Sequence, residues 1–341
     1  MMGVSLRKII GLAGLFCLLT FAGLNTTFAA ENAGGEGEAF SPGDMITHHI
    51  TDDYVWHFFD GHYGTLYLPV ILYTDNGLEV FSSSNFYDEH HEKVAYGNYM
   101  IDHGHIKTLD GASVLDFSIT KNVASMFVSI FLMLLVFLSI AKSYKKRPEE
   151  APRGLQSFFE PIILFIKDEI AIPNIGEKKY KKFLPFLLTL FFFIWFNNLL
   201  GLMPGGANLT GNISVTFVLA FIVLIITLAS SGKAYWQHIF AMPGVPKPIL
   251  LILIPIELIG ILTKPFSLMV RLFANITAGH IIILSLLSLI FIFESVWIAP
   301  ASVAFSIFMN FLELFVALLQ AYIFTLLSAM YFGAAVEEGH H

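Results

Sequence analysis

The sequence predicts an all-α polytopic membrane protein with about five membrane-embedded helices, the last two forming a long tilted hairpin. Three observations carry this. Of 341 residues, 56% are hydrophobic and 13% charged, and the mean hydropathy is +0.71, a profile of integral membrane chains. The apolar residues are gathered into runs long enough to cross a hydrocarbon core about 30 Å thick. The charges are segregated: residues 31–120 hold fifteen Asp or Glu against two Lys, and most other cations lie between Lys142 and Lys182, so the net charge of −7 describes no single surface. No basic surface for nucleic acid is expected.

At the N-terminus, Arg7 and Lys8 precede an apolar core over residues 9–24 and a small-residue exit, Thr27-Phe28-Ala29-Ala30. That pattern predicts a signal peptide over residues 1–30. The alternative is an uncleaved first membrane helix, for which the core is short. Cleavage removes Cys17, the only cysteine, and leaves neither a disulfide framework nor a cysteine metal site.

Residues 31–118 read as an acidic, His-rich extracytoplasmic extension. Eight of the twelve histidines lie here. His48-His49, His90-His91 and His103/His105 have no spacing of a defined ligand set, so solvated loop histidines are expected and no metal or cofactor is assigned. TLYLPVILY (65–73) and GLEVFSSS (77–84) read as short strands joined by a turn at Asp75-Asn76-Gly77.

The membrane domain is expected over residues 119–341. Its first span, about 119–141, ends in KSYKKRPEEAPR, which the positive-inside rule places in the cytoplasm. Residues 154–172 are interrupted by Pro161 and carry Glu160, Lys167, Asp168 and Glu169, so they predict a cytoplasmic interfacial helix, not a span. Lys178, Lys179, Lys181 and Lys182 lead into a span over about 183–203. A short loop then returns into 213–230. Asn197 and Asn198 suit interhelical hydrogen bonding.

The runs over 249–293 and 296–332 are too long for one upright crossing each. The first, of 45 residues, makes a helix of roughly 67 Å, more than twice the core thickness. No loop signal interrupts it near Arg271, so a tilted helix is more economical than two spans, with a kink expected at Pro265. Glu294-Ser295 is the expected turn. This arrangement puts the mature N-terminus outside and the C-terminus in the cytoplasm.

The run over 249–293 carries Glu257, Lys264, Arg271, Asn275 and His280. A charge at bilayer depth costs about 2.5–3.5 kcal/mol even on lenient scales, which makes such groups functional candidates. At about 100° per residue, Glu257, Gly260, Lys264, Ser267, Asn275 and Ala278 all fall within roughly 40° of Arg271. His280 points to the opposite side. Arg271 is followed by seventy residues without a Lys or Arg. Snorkelling is awkward that far inside the run. A static pair with Glu257 must span roughly 21 Å of helix, although Glu313 on another segment is a further candidate partner. A fixed electrostatic gate suits arginine best, because it stays charged at any relevant pH. In the last run Ser306, Asn310, Glu313, Gln320 and Ser328 share a face. His280 and Glu313, two groups that bind and release protons, have the chemistry of a relay.

These residues sit in recognisable motifs. RLFANITAGH, the preceding KPFSLMV, the downstream LLQAYIFTLLSAMYF, and the earlier FNNLLGLMPG and GNISVTFVLA together resemble the membrane stator subunit, subunit a, of F-type ATP synthases. The motifs occur in the expected order over most of residues 183–332; the resemblance is weaker over 119–172 and absent before. It implies that Arg271 matches the essential stator arginine facing a rotor carboxylate, with Asn275 and Gln320 at polar positions near it. His280 and Glu313 match a coupled pair lining the outer proton path. In some members the carboxylate comes first and the histidine second; the reversed order here keeps both chemistries. Ala274 stands where many relatives have glycine.

The expectation is therefore a proton-translocating stator subunit in a bacterial plasma (inner) membrane, with no cofactor. Two offset half-channels would meet a rotor c-ring, the outer using His280, Glu313, Asn275 and Gln320, the inner Glu257, Lys264 and Ser267. The resemblance implies peripheral-stalk b subunits and, indirectly, a catalytic head as partners, with ATP chemistry elsewhere because this chain shows no nucleotide-binding loop. A polytopic secondary ion transporter is the alternative, but such proteins usually show two related halves, and no internal repeat is found. A passive channel needs a polar ring, normally from several copies, which one asymmetric arginine stripe fits poorly.

Overall fold

The computed structural model describes residues 43, 51–57, 64–75, 77–88, 93–102, 104–146, 150–203, 205–241, 245–293 and 297–337. The leader, His48-His49, His90-His91, His103, Asn76 of the hairpin turn and Glu294-Ser295 lie outside the described residues. The chain divides into two compact units, residues 1–128, 197–209 and 277–314 forming one and residues 129–196, 210–276 and 315–341 the other.

In the first unit, short antiparallel ladders precede the membrane helices. β1 (Val55–His57) pairs with β2 (Thr65–Tyr67), and β3 (Pro69–Thr74) pairs with β4 (Gly77–Ser82). The sequence predicts the turn at Asp75-Asn76-Gly77; Gly77 instead pairs with Thr74 as the first residue of β4, at φ 110° where a side chain would be strained. β5 (Tyr99–Asp102) pairs with β6 (His105–Thr108), and β7 (Leu115–Asp116) adds to the far side of β3. Alternation along β3 sends Val70 and Leu72 into a small core with Tyr54, Phe86, Tyr99 and Ile106. The run 65–73 is thus two strands. They break at Leu68, whose N–H donates to Tyr54 O at 3.2 Å.

Local hydrogen bonds fasten this ladder region to the first membrane helix, α1 (Lys121–Lys146). The first N–H groups of a helix have no partner inside it. Here Lys121 N donates to Asp53 O at 2.8 Å and Asn122 N to Asp52 Oδ1 at 3.0 Å. A carboxylate from elsewhere in the chain thereby caps the helix and complements its dipole. Trp56 Nε1 also donates to Gly205 O at 2.6 Å.

In the second unit, α2 (Leu155–Phe165) runs through a π-helical stretch at Ile166–Ala171 into α3 (Ile172–Ile175). The wider turn keeps Ile166, Ile170 and Ala171 buried while Asp168 and Glu169 stay exposed. α4 (Tyr180–Gly201), α5 (Ile213–Ser230) and α6 (Lys233–Phe240) follow. Their core joins Phe159, Phe183, Leu187, Phe192, Val223, Leu268, Leu272, Phe324 and Phe332. Gly333 needs to be glycine, because a β-carbon there would lie 1.8 Å from Asn174 O.

The last two helices are α7 (Lys247–Phe293) and α8 (Ala299–Val336). α7 runs through Pro255 and Pro265 without interruption, so 47 residues form a single helix of roughly 70 Å. The alternative of two separate spans is not found. Five helices among the described residues are long and apolar enough to cross a membrane: α1, α4, α5, α7 and α8. The chain is therefore predominantly helical and polytopic, as expected, with helix ends within a few residues of the predicted ones.

Candidate functional site

Within the first unit, α7 and α8 run antiparallel. Ser302 Oγ donates to Leu286 O, and further along the pair His280 Nε2 lies 3.8 Å from Glu313 Oε1. Glu313 is almost fully buried. Neither of its carboxylate oxygens has a hydrogen-bond partner among the described residues. Ser306 and Asn310, two turns and one turn before Glu313, are buried too, and Asn310 Nδ2 donates to Ser306 O at 3.2 Å. A histidine and a carboxylate, 33 positions apart in sequence, thus become neighbours inside an apolar helix pair.

One residue that sequence reasoning did not single out makes this contact sterically feasible. A β-carbon on Gly279 would lie 2.6 Å from Glu313 Oε1 and 2.9 Å from Cδ. Gly279 is thus the space in which the carboxylate sits. The glycine-histidine step in RLFANITAGH was visible, but the residue it accommodates was not. We expect Gly279→Ala to displace the carboxylate and, for the proton relay expected from sequence, to cut turnover by up to about a hundredfold, the scale of a 1 Å misplacement. Glu313→Asp, which withdraws the carboxylate by one methylene, should restore part of that loss in the double variant. Transport by the single and double variants in the same vesicles checks this; full turnover by Gly279→Ala would contradict it.

In the second unit the other candidates divide between two environments. On α7, Lys264, Ser267 and Asn275 are exposed and Arg271 is half-buried, while Leu268, Leu272 and Ile276 on the adjacent flank are buried. Among the described residues no ion pair involves Arg271, so the static partnership weighed from sequence is not found. On α8, Gln320 is buried, as are Ala317 and Ala321 beside it.

Lys264 has company that the sequence did not announce. Its Nζ lies 5.6 Å from the centre of the Tyr331 ring, a cation–π distance. Lys264 and Tyr331 line a small cavity with Thr227, Tyr235, Ile261 and Pro265. The Tyr235 phenol, on α6, is raised above its ordinary range first by burial and then by the Glu257 carboxylate, which places that carboxylate within electrostatic reach of the same cavity. Ser267 does not line it. The aromatic and hydroxyl lining comes from three other helices, so no spacing within α7 could reveal it. Among the described residues, no group of three His, Cys, Asp or Glu side chains is arranged to hold a metal.

Comparison with known proteins agrees with this geometry. Residues 123–333 match the family model described as ATP synthase A chain, and residues 45–125 match a domain family of unknown function. The chain is similar to "ATP synthase subunit a" of Chloroherpeton thalassium, 47% identical over 230 residues, which is 66% of this chain and 69% of that protein. It is similar over more of its length to "ATP synthase subunit a 2" of Chlorobaculum tepidum, at 41% identity covering 91% of this chain and 80% of the relative. The corresponding protein of Prosthecochloris aestuarii is 40% identical, with 97% and 91% covered. With its five apolar helices and a family match across most of the membrane region, the chain belongs to the ATP synthase A chain family.

Proposed function

We propose that this chain is the proton-conducting stator of an F-type ATP synthase and that it works through two offset half-channels. The observation that carries the proposal is the polar stripe of α7. Lys264, Ser267 and Asn275 lie exposed, with half-buried Arg271 among them, beside a flank of the same helix that is buried at Leu268, Leu272 and Ile276. Hydrocarbon cannot solvate such a stripe. A partner bearing a complementary charge must therefore face it, and a ring of rotor subunits with membrane carboxylates supplies that charge repeatedly as it turns.

The outer half-channel uses His280 and Glu313, with Asn275 and Gln320 toward the rotor. The inner one uses Glu257, Lys264 and Ser267, joined by Tyr235 and Tyr331 on the strength of the shared cavity. A proton from outside neutralises a rotor carboxylate, the ring turns, and the proton leaves by the inner path. Arg271 stabilises the carboxylate while it is ionised and separates the paths. The driving energy is about 2.3 kcal/mol per charge per 100 mV.

This assignment places the chain in a bacterial inner membrane, with the His-rich extension outside, the α7–α8 hairpin tilted along the rotor, and peripheral-stalk subunits beside it. ATP chemistry belongs to a catalytic head. Isolation of the chain from native membranes should bring a ring-forming small subunit and a nucleotide-hydrolysing head, and vesicles holding that assembly should acidify on ATP addition. Isolation with neither partner would end the proposal. For the orientation, a reporter fused after His341 should be active in the cytoplasm; activity confined to the periplasm would reverse it.

A further inference from the structure

A second site lies in the second unit, away from the polar faces of α7 and α8. Where α1 ends and α2 begins, a hollow is lined by Lys142 and Lys146 from α1, Arg153 from the connection, and Ser139, Ser143 and Gln156 around them. Lys142, Lys146 and Arg153 are exposed, whereas Gln156 is buried. Ser143 Oγ donates to Gln156 Oε1 at 2.9 Å, and Gln156 Nε2 donates to Glu160 Oε2 at 3.3 Å. The amide is thereby held in place as part of the wall. Among the described residues no carboxylate lines the hollow; Glu150 lies in the same connection and Glu160 one turn beyond, outside the lining.

Two further features favour an anion. Gly154, at φ 65°, precedes α2 and provides no side-chain cap. The first N–H groups of this 11-residue helix therefore open beside the three cations, where a negative group is favoured. The neighbouring surface of α1 is apolar and exposed at Leu134, Leu135 and Leu138, so an acyl chain has a surface to follow directly beside the hollow.

We propose that this hollow binds a phosphate group, carried by an anionic phospholipid or free in solution. Three cations and a helix start match a phosphate with net negative charge. They do not match a zwitterionic headgroup, whose ammonium would meet the same cations. Basic pockets at the end of membrane helices are suited to such headgroups. The reading does not depend on the proton path, because none of its residues lies on that path.

Lysine acylation of the intact assembly tests this, with Lys145 as the internal reference. Lys145 is exposed on the same helix turn but does not line the hollow. The probes are phosphatidylcholine nanodiscs, nanodiscs containing phosphatidylglycerol, and phosphatidylcholine nanodiscs with inorganic phosphate. We expect Lys142 and Lys146 to be protected relative to Lys145. Arg153→Gln should weaken that protection about fivefold, the contribution of one cation near an anionic lipid surface. Protection by phosphatidylglycerol alone identifies the lipid source, and protection by inorganic phosphate identifies the free one. Three results overturn the proposal: no selective protection by either probe, equal protection of Lys145, or protection unchanged in Arg153→Gln. The last two mean diffuse surface screening or cover by a neighbouring protein.

Discussion

Replacing Arg271 by alanine should abolish both ATP-driven pumping and proton-driven synthesis while leaving the assembly intact. The reason is electrostatic. Within about 4 Å of a rotor carboxylate, at an effective dielectric constant near 20, a fixed cation contributes about 4 kcal/mol. Removing it should change the equilibrium between charged and neutral carboxylate in front of the stator by roughly a thousandfold. In the proposed arrangement of two half-channels the barrier between them goes with it, so passive proton flow should rise. Arg271→Lys keeps a charge but loses the planar, always-protonated guanidinium, and should be severely impaired as well. A purely structural arginine predicts the reverse: low abundance in the membrane and normal coupling in whatever survives. Membrane abundance, passive proton permeability and synthesis rate in the same vesicles separate these outcomes. Normal synthesis by the Arg271→Ala protein would end the stator assignment.

The His280–Glu313 pair carries the second large effect. His280→Ala and Glu313→Ala should each lower proton-driven synthesis by about two orders of magnitude, the lower end of the range for a positioned proton-transfer group. The exchange His280→Glu with Glu313→His should recover part of the loss, since the two groups are only 3.8 Å apart. Recovery will be incomplete for a geometric reason. Gly279 makes room for a carboxylate arriving from α8, and an imidazole from that position is bulkier. Combining the exchange with changes at Gly279 therefore reports on space, while the exchange alone reports on chemistry. Independent, additive losses with no recovery would mean two unrelated structural residues.

The membrane helices were legible because they rest on run length and apolarity, which the chain carries locally. α5 begins at Ile213 and ends at Ser230, as read from sequence, since polar turn residues flank the run on both sides. The face shared by Ser306, Asn310, Glu313, Gln320 and Ser328 was legible from helical geometry alone, and all five are buried. The extension was legible only at its β3–β4 hairpin. β1, β5, β6 and β7 are strands of two to four residues, too short to show a period. The π-helical stretch at Ile166–Ala171 has no counterpart in the apolar spacing of the run 154–172.

By itself, then, the sequence determined which runs are long and apolar enough to cross a membrane, the spacing of the polar groups along each helix, and the family motifs around Arg271. Helical arithmetic also put His280 and Arg271 on different sides of α7. Which side faces other parts of the chain is a different kind of fact, because it depends on what packs against the helix. Tertiary structure buried the α8 stripe and left Lys264, Ser267 and Asn275 of the α7 stripe exposed, although both lie on apolar helices. It also set Lys264 against Tyr331 and fitted the Glu313 carboxylate into the space left by Gly279. Such contacts join residues tens of positions apart. Their existence rests on close packing between helices, where the absence of one β-carbon decides whether a carboxylate has room.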